Sequence, residues 1–426
     1  MSIRCITVLL VALVASAAPA LDRAPIHLGT PLMYGWVPDN HPVLRGLIVL
    51  NGFPMDNRWN EVCRLWGFGL VRINTDGYPR EPDDNARALV HAIRTLAERS
   101  GHSELVHVPF VPIGYSRYAP SAAFFTARFP GRVLGHISGN NVRGAEFSPR
   151  RASDALVWEQ TPSHWLGCEW ENIFSGGDKR TLVYNWRRPP TTLQMAGMTW
   201  RVYHDPGDYS DLAFTFVDQL IATRIPADWN PRHGPAELLP VDRSQGWLGS
   251  HAGWSVPVEE IFATDNENAH IAPYADFTAD RHDASWLLNE TMAWVWRAYN
   301  SRYPRVRIIA PSHAAVVIHE SDNIPPVLHA EHGLRAGTEG TVTIRCWTDG
   351  VARVELFANT LSLGATETFT GGDAPLGGTR DAEATLTVRW PERGLYALMV
   401  RYVTDDGQVG WSNPAPVVVW GADEEL

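Results

Sequence analysis

The chain has 426 residues, more than one typical domain holds, so two or three domains are expected. Apolar residues make up 45% and charged residues 19%, a globular rather than a disordered balance. A net charge of −11 argues against nucleic acid as a partner, because phosphate binding needs a basic face.

In chain order, a targeting segment is expected first. Arg4 supplies a positive start, Ile6 to Val14 an apolar run, and Ala18-Pro19-Ala20 a small-residue cleavage site. Residues 1–20 therefore read as a signal peptide, with a secreted or periplasmic protein starting at Leu21. No later run of some 18 apolar residues appears, so no membrane span is expected. Cys5 leaves with the peptide, and Cys63, Cys168 and Cys346 remain. Three is an odd number, so at least one stays unpaired; whether Cys63 bridges Cys168 is open. No C-x-x-C or His-rich spacing suggests a metal. The carboxylates at Asp205, Asp208 and Asp211 do not match a helix-flanked calcium loop. No metal or other cofactor is expected.

Strand-like pieces around 26–37 lead to a buried strand, Leu44 to Leu50, which ends in the turn Asn51-Gly52-Phe53-Pro54. A helix with Trp59, Val62, Cys63 and Trp66 on one face follows, then a strand over 69–74. Asp83-Asp84 caps a helix through Ala97. An apolar run, 105–113, precedes Gly114-Tyr115-Ser116-Arg117-Tyr118 and a helix-compatible stretch from Ala119. A strand, a tight turn carrying one serine and then a helix is the pattern of a nucleophile elbow, with Ser116 as the nucleophile candidate. Tyr118 stands where that pattern has a second glycine. Further strands are expected at 132–139, 162–167 and 198–203. Strands alternating with helices imply a parallel sheet covered on both faces.

On Leu47-Ile48-Val49-Leu50-Asn51-Gly52, Gly114-Tyr115-Ser116 and the rhythm between them, residues 44–224 resemble an α/β-hydrolase. The branch resembled is that of esterases including dienelactone hydrolases and polyhydroxyalkanoate depolymerases. The resemblance implies a serine nucleophile, a carboxylate and a histidine in that chain order, with backbone N–H groups as the oxyanion hole. It places the oxyanion donors at Phe53 and Arg117. The acid is placed just past the strand at 162–167, at Glu171, with Glu169 and Asp178 as alternatives. The base is His204, on the loop after the last core strand, with His251 as the alternative.

Residues 226–325 form an accessory segment of the 21–325 body, with a helix-like stretch over 285–299 whose tryptophans pack on that body or line a substrate site. Asn289-Glu290-Thr291 is a formal glycosylation sequon. From 326 to 426 the pattern changes to period-2 runs at 341–347, 353–357, 384–388 and 396–402. Asp349-Gly350 and Asp405-Asp406-Gly407 sit between them as hairpin turns, and the whole reads as an immunoglobulin-like β-sandwich. The expected function is hydrolysis of a carboxylic ester. The 18 tryptophans favour a carbohydrate- or polymer-linked one. The competing reading is a catalytically degenerate relative that binds rather than cleaves.

Overall fold

The fold is described by a computed structural model over residues 25–29, 33–52, 57–74, 82–115, 118–139, 163–168, 193–199, 207–250, 270–299, 306–311, 333–346, 350–371, 382–412 and 414–424. Its first part alternates strand and helix: β1 (Ile26–His27), β2 (Tyr34–Trp36), β3 (Gly46–Asn51), α1 (Asn57–Trp66), β4 (Phe68–Ile73), α2 (Pro82–Ser100), β5 (Phe110–Tyr115), α3 (Ala119–Arg128), β6 (His136–Gly139), β7 (Ser163–Cys168), β8 (Gln194–Thr199) and α4 (Gly207–Arg224). The eight strands form one sheet in the order β1-β2-β4-β3-β5-β6-β7-β8. Strands β4, β3, β5, β6, β7 and β8 run parallel, and β1 and β2 are antiparallel at one edge.

Strand β3 shows why the sheet sits at the centre. All six of its residues are buried. Successive side chains point to opposite faces, so the run has no solvent side. Ile48 and Leu50 join a core with Trp59, Val62 and Leu65 of α1 and Leu212, Phe216 and Leu220 of α4. Leu47 and Val49 join the opposite core with Leu89, Ile93 and Leu96 of α2 and Phe125 of α3. The free Cys63 thiol lies in the first of these cores, so it makes no bridge to Cys168; burial also raises its pKa.

Two of the sheet's strands differ from expectation. Residues 103–106 form a 3-10 turn, and the elbow strand starts only at Phe110. The last strand begins at Gln194, ahead of the expected 198–203; it covers 198 and 199, and 200–203 lie outside the described residues. Asp208 and Asp211 lie in α4 rather than in a loop.

The accessory segment contains β9 (Trp247–Ser250), β10 (Ile271–Pro273) and β11 (Ala284–Leu287) in a small antiparallel sheet, then α5 (Glu290–Tyr299). The expected helix over 285–299 is thus a strand followed by a shorter helix. Asn289 caps that helix, accepting from Met292 N at 3.0 Å, while its amide donates to Gln219 at 2.8 Å. The sequon asparagine is committed to holding α5 against α4. Trp286 and Trp296 are buried core residues, not a lining.

Next come β12 (Val306–Ala310), β13 (Leu334–Arg335), β14 (Glu339–Cys346), β15 (Val351–Ala358), β16 (Leu361–Thr366), β17 (Ala382–Arg389), β18 (Gly394–Thr404), β19 (Val409–Trp411) and β20 (Ala415–Trp420). They make two sheets, β12-β14-β17 and β13-β20-β18-β15-β16, with β19 beside β18. The sheets share a core of Val342, Ile344, Val354, Leu356, Val388 and Val400. Strand β12 pairs with β14, so pairing in this unit begins upstream of the expected boundary at 325/326. Gly350 carries the chain from one sheet to the other, since β14 and β15 do not pair; it closes no hairpin. Gly407, with a positive φ of 84°, closes the β18–β19 hairpin as expected.

The larger of these sheets is covered on its other face by the α/β body. In β18, Leu398, Val400 and Tyr402 face the sandwich core, while Leu395, Ala397 and Met399 join the core of α1, α4 and α5. Val418 and Trp420 of β20 and Phe357 of β15 join it too. Arg297 of α5 stacks on Trp411 at 4.6 Å, and Arg393 donates to the Leu65 carbonyl at the end of α1 at 3.2 Å.

Two carboxyls sit at this junction. Burial pushes Glu61 of α1, which interacts with the Trp420 indole, from 4.5 to about 7. Burial likewise pushes Asp218 of α4 up to about 6, although Trp66 and Gln219 donate to it. The folded state therefore keeps a proton on Glu61 between pH 4.5 and 7 that the unfolded chain has lost. The Glu61 contribution to stability falls as pH rises through that window and is constant outside it. At about 1.4 kcal/mol per pH unit, discounted for the half-buried position, the change is about 2 kcal/mol. Glu61→Gln should remove it: urea unfolding at pH 4.5 and 7.5 should show the parent losing about 2 kcal/mol relative to the variant.

Candidate active site

In a parallel sheet the C-terminal strand ends line one edge, and ligands bind in the crevice outside them. In chain order, Phe53, Ser116, Arg117, Glu171 and His204 each follow a parallel strand of this sheet, whereas His251 follows β9. Ser116 and Arg117 lie between the end of β5 and the start of α3. Phe53 follows β3 by two residues. Glu171, like its alternatives Glu169 and Asp178, lies in the connection from β7, and His204 lies between β8 and α4. His204 lies five residues beyond the last described residue of β8, Thr199. Phe53, Ser116, Arg117, Glu169, Glu171, Asp178, His204 and His251 lie outside the described residues. With strands about 4.8 Å apart, β7 is about 10 Å and β8 about 14 Å from β5.

The floor of this edge is described in detail. Strand β3 ends at Asn51, which is paired with Gly114 on β5 and Ile73 on β4. Asn51 is 1% exposed and Ser121, in the first turn of α3, is 0% exposed. The Asn51 amide (Nδ2) donates to Ser121 Oγ at 2.8 Å. Ser121 Oγ in turn donates to the Tyr118 carbonyl at 2.7 Å. Helix α3 begins directly after Tyr118, whose backbone is already helical at φ −92°, ψ −8°, and Pro120 sits in its first turn. Proline is tolerated there because its missing N–H would have no intrahelical partner.

The same floor explains how Tyr118 is tolerated where the elbow pattern has glycine. The ring lies on Gly52, and a Cβ at Gly52 would fall inside it. Gly52 also has a positive φ of 67°, which side-chain-bearing residues avoid. The small residue has in effect moved from the helix start to the loop after β3. Gly52→Ala should therefore destabilise the chain by about 2–4 kcal/mol, combining overpacking with left-handed strain. Adding Tyr118→Gly should recover the overpacking part, and chemical denaturation of the single and double variants checks both.

On the opposite edge, His136 opens β6 with its Nδ1 3.2 Å from Thr126 Oγ1. Burial drives its pKa down to about 3, so its ring stays neutral. Among the described residues, no group of three or more His, Cys, Asp or Glu could hold a metal ion, and no helix is long and apolar enough to cross a membrane. The Asn51–Ser121 link had no motif to announce it, since it joins residues 70 apart.

No protein-family model matches the chain, and no curated protein sequence does. Solved structures similar to parts of it include a dienelactone hydrolase from Anabaena variabilis, at 15% identity and TM-score 0.28, covering 48% of this chain and 95% of that one. A carboxylesterase structure from Nitrososphaera gargenis is similar at 11% identity and TM-score 0.27, covering 47% and 99%. Fibronectin(III)-like modules of Clostridium thermocellum CbhA are similar at 20% identity and TM-score 0.18, covering 28% of this chain and 98% of that one.

Proposed function

We propose that the chain is a serine hydrolase of carboxylic esters, built on an α/β-hydrolase sheet with an immunoglobulin-like sandwich behind it. One observation carries the reading: only three residues, Ser116 among them, join the parallel central strand β5 to α3, at the edge where strand ends converge. A serine so placed stands above the sheet at a helix start, where N–H groups are unpaired.

In this mechanism Ser116 Oγ attacks the ester carbonyl and His204 takes its proton, with Glu171 orienting the imidazole. The N–H groups of Phe53 and Arg117 hold the oxyanion. Collapse expels the alcohol, which takes the proton from His204, and leaves an acyl group on Ser116. Water, deprotonated by His204, then releases the acid. The N-terminal segment supports export, to the periplasm or the medium, and the tryptophan content supports an ester carried on a carbohydrate or polymer.

The test is hydrolysis of p-nitrophenyl esters of graded acyl length and of acetylated oligosaccharides by the mature protein. Turnover that disappears in both Ser116→Ala and His204→Ala is the expected result. Equal turnover in parent and Ser116→Ala overturns the reading.

A further inference from the structure

We propose that Asn51, Ser121 and Tyr118 form a positioning clamp that sets the separation of the two backbone segments of the oxyanion hole. The proposal rests on the serine-hydrolase reading above.

Three contacts tie the segments together. The Asn51 amide donates to Ser121 Oγ, Ser121 Oγ donates to the Tyr118 carbonyl, and the Tyr118 ring lies on Gly52. Asn51 lies two residues before Phe53 on one segment, and Tyr118 lies next to Arg117 on the other. The clamp thus grips both chains within two residues of the N–H groups assigned to the oxyanion.

A purely structural role accounts poorly for Asn51. Strand β3 otherwise reads Gly46-Leu47-Ile48-Val49-Leu50, all buried and apolar. Burying an amide there costs about 1–3 kcal/mol unless it is hydrogen-bonded, so an apolar residue would serve packing as well. What the amide adds is direction. In a buried site each bond of such a chain polarises the next and holds its angle. Oxyanion stabilisation depends on donors about 2.7–3.1 Å from the developing charge, so the distance between the two segments sets its strength.

The experiment uses the full mature chain as parent, Asn51→Ala, Ser121→Ala and the double variant. Active sites are counted by exhaustive fluorophosphonate labelling, and kcat and KM for p-nitrophenyl acetate are expressed per labelled site. Each single substitution should lower kcat per site by roughly 10- to 100-fold, because misplacement by about 1 Å costs up to about 100-fold. KM should stay within about twofold, since the donors act on the transition state rather than on bound substrate. The double variant should be no worse than the worse single, because the residues act as one unit.

A residue that only stabilises the fold would reduce the number of labelled sites and leave kcat per site unchanged. Should either alanine variant fail to fold, Ser121→Cys is the second probe. Its weak S–H donor should lower kcat per site in the same direction by about fivefold. Any folded variant whose kcat per site stays within about twofold of the parent overturns the clamp and leaves the serine-hydrolase reading standing. A parent that takes no label overturns that reading and the clamp with it.

Discussion

Replacing Ser116 with alanine should abolish ester hydrolysis and leave the fold intact. The expected loss in kcat is large because the nucleophile, base and acid act as a unit. In a well-studied triad, removing the serine costs about a millionfold, with about 10³- to 10⁴-fold over water left from binding and the oxyanion hole. The fold should survive because the described cores of the α/β body are built from apolar side chains such as Ile48, Leu50, Ile113, Phe125 and Ile137, which the substitution leaves in place. Circular dichroism and the melting temperature should match the parent while the rate falls to background. A variant that keeps more than about one tenth of the parent rate would move the chemistry away from the elbow.

The second large effect is expected far from that edge. Trp420→Ala should destabilise the whole chain by about 3–5 kcal/mol, the range for removing a large buried aromatic. Trp420 is 2% exposed and belongs to the core shared with α1, α4 and α5, not to the sandwich core. Its ring also lies 5.8 Å from the Arg393 guanidinium, which holds the end of α1. The C-terminal unit is therefore a wall of the body, and the parent should unfold in one transition. The variant should unfold earlier, with its ester turnover per labelled site unchanged. Two separate transitions in the parent, with only the second shifted, would show the units to be independent.

The central strands were legible because strands buried on both faces read as continuous apolar runs, as Leu47 to Leu50 does. Where the run was ambiguous the reading slipped. Leu105 and Val108 are buried, yet the chain turns at 103–106, with Glu104 accepting from Leu44 N, so apolar character marked burial but not extension. At β8 the strand's start at Gln194 was missed because Ala196 and Gly197 carry little strand signal. Residues 285–288 read as helix because helix and strand share short apolar runs; pairing of β11 with β9 decided the matter.

The site divides in the same way. Ser116 was legible because the elbow is local, a few residues of strand, turn and helix. The Asn51–Ser121–Tyr118 connection was not, because it joins the end of β3 to a helix 70 residues later and depends on β3 and β5 being neighbours. Tyr118 departs from the elbow pattern, and Gly52 beneath it makes room for the ring. A missing side chain on one segment compensates for a large one on the other.

The most direct measurement is the intact mass of the purified mature protein after treatment with a fluorophosphonate, followed by peptide mapping. One adduct per chain, on the peptide carrying Ser116 and absent from Ser116→Ala and His204→Ala, is the result the account predicts. A folded parent that takes no adduct, or takes it on a different residue, would contradict it and leave a chain that binds rather than cleaves.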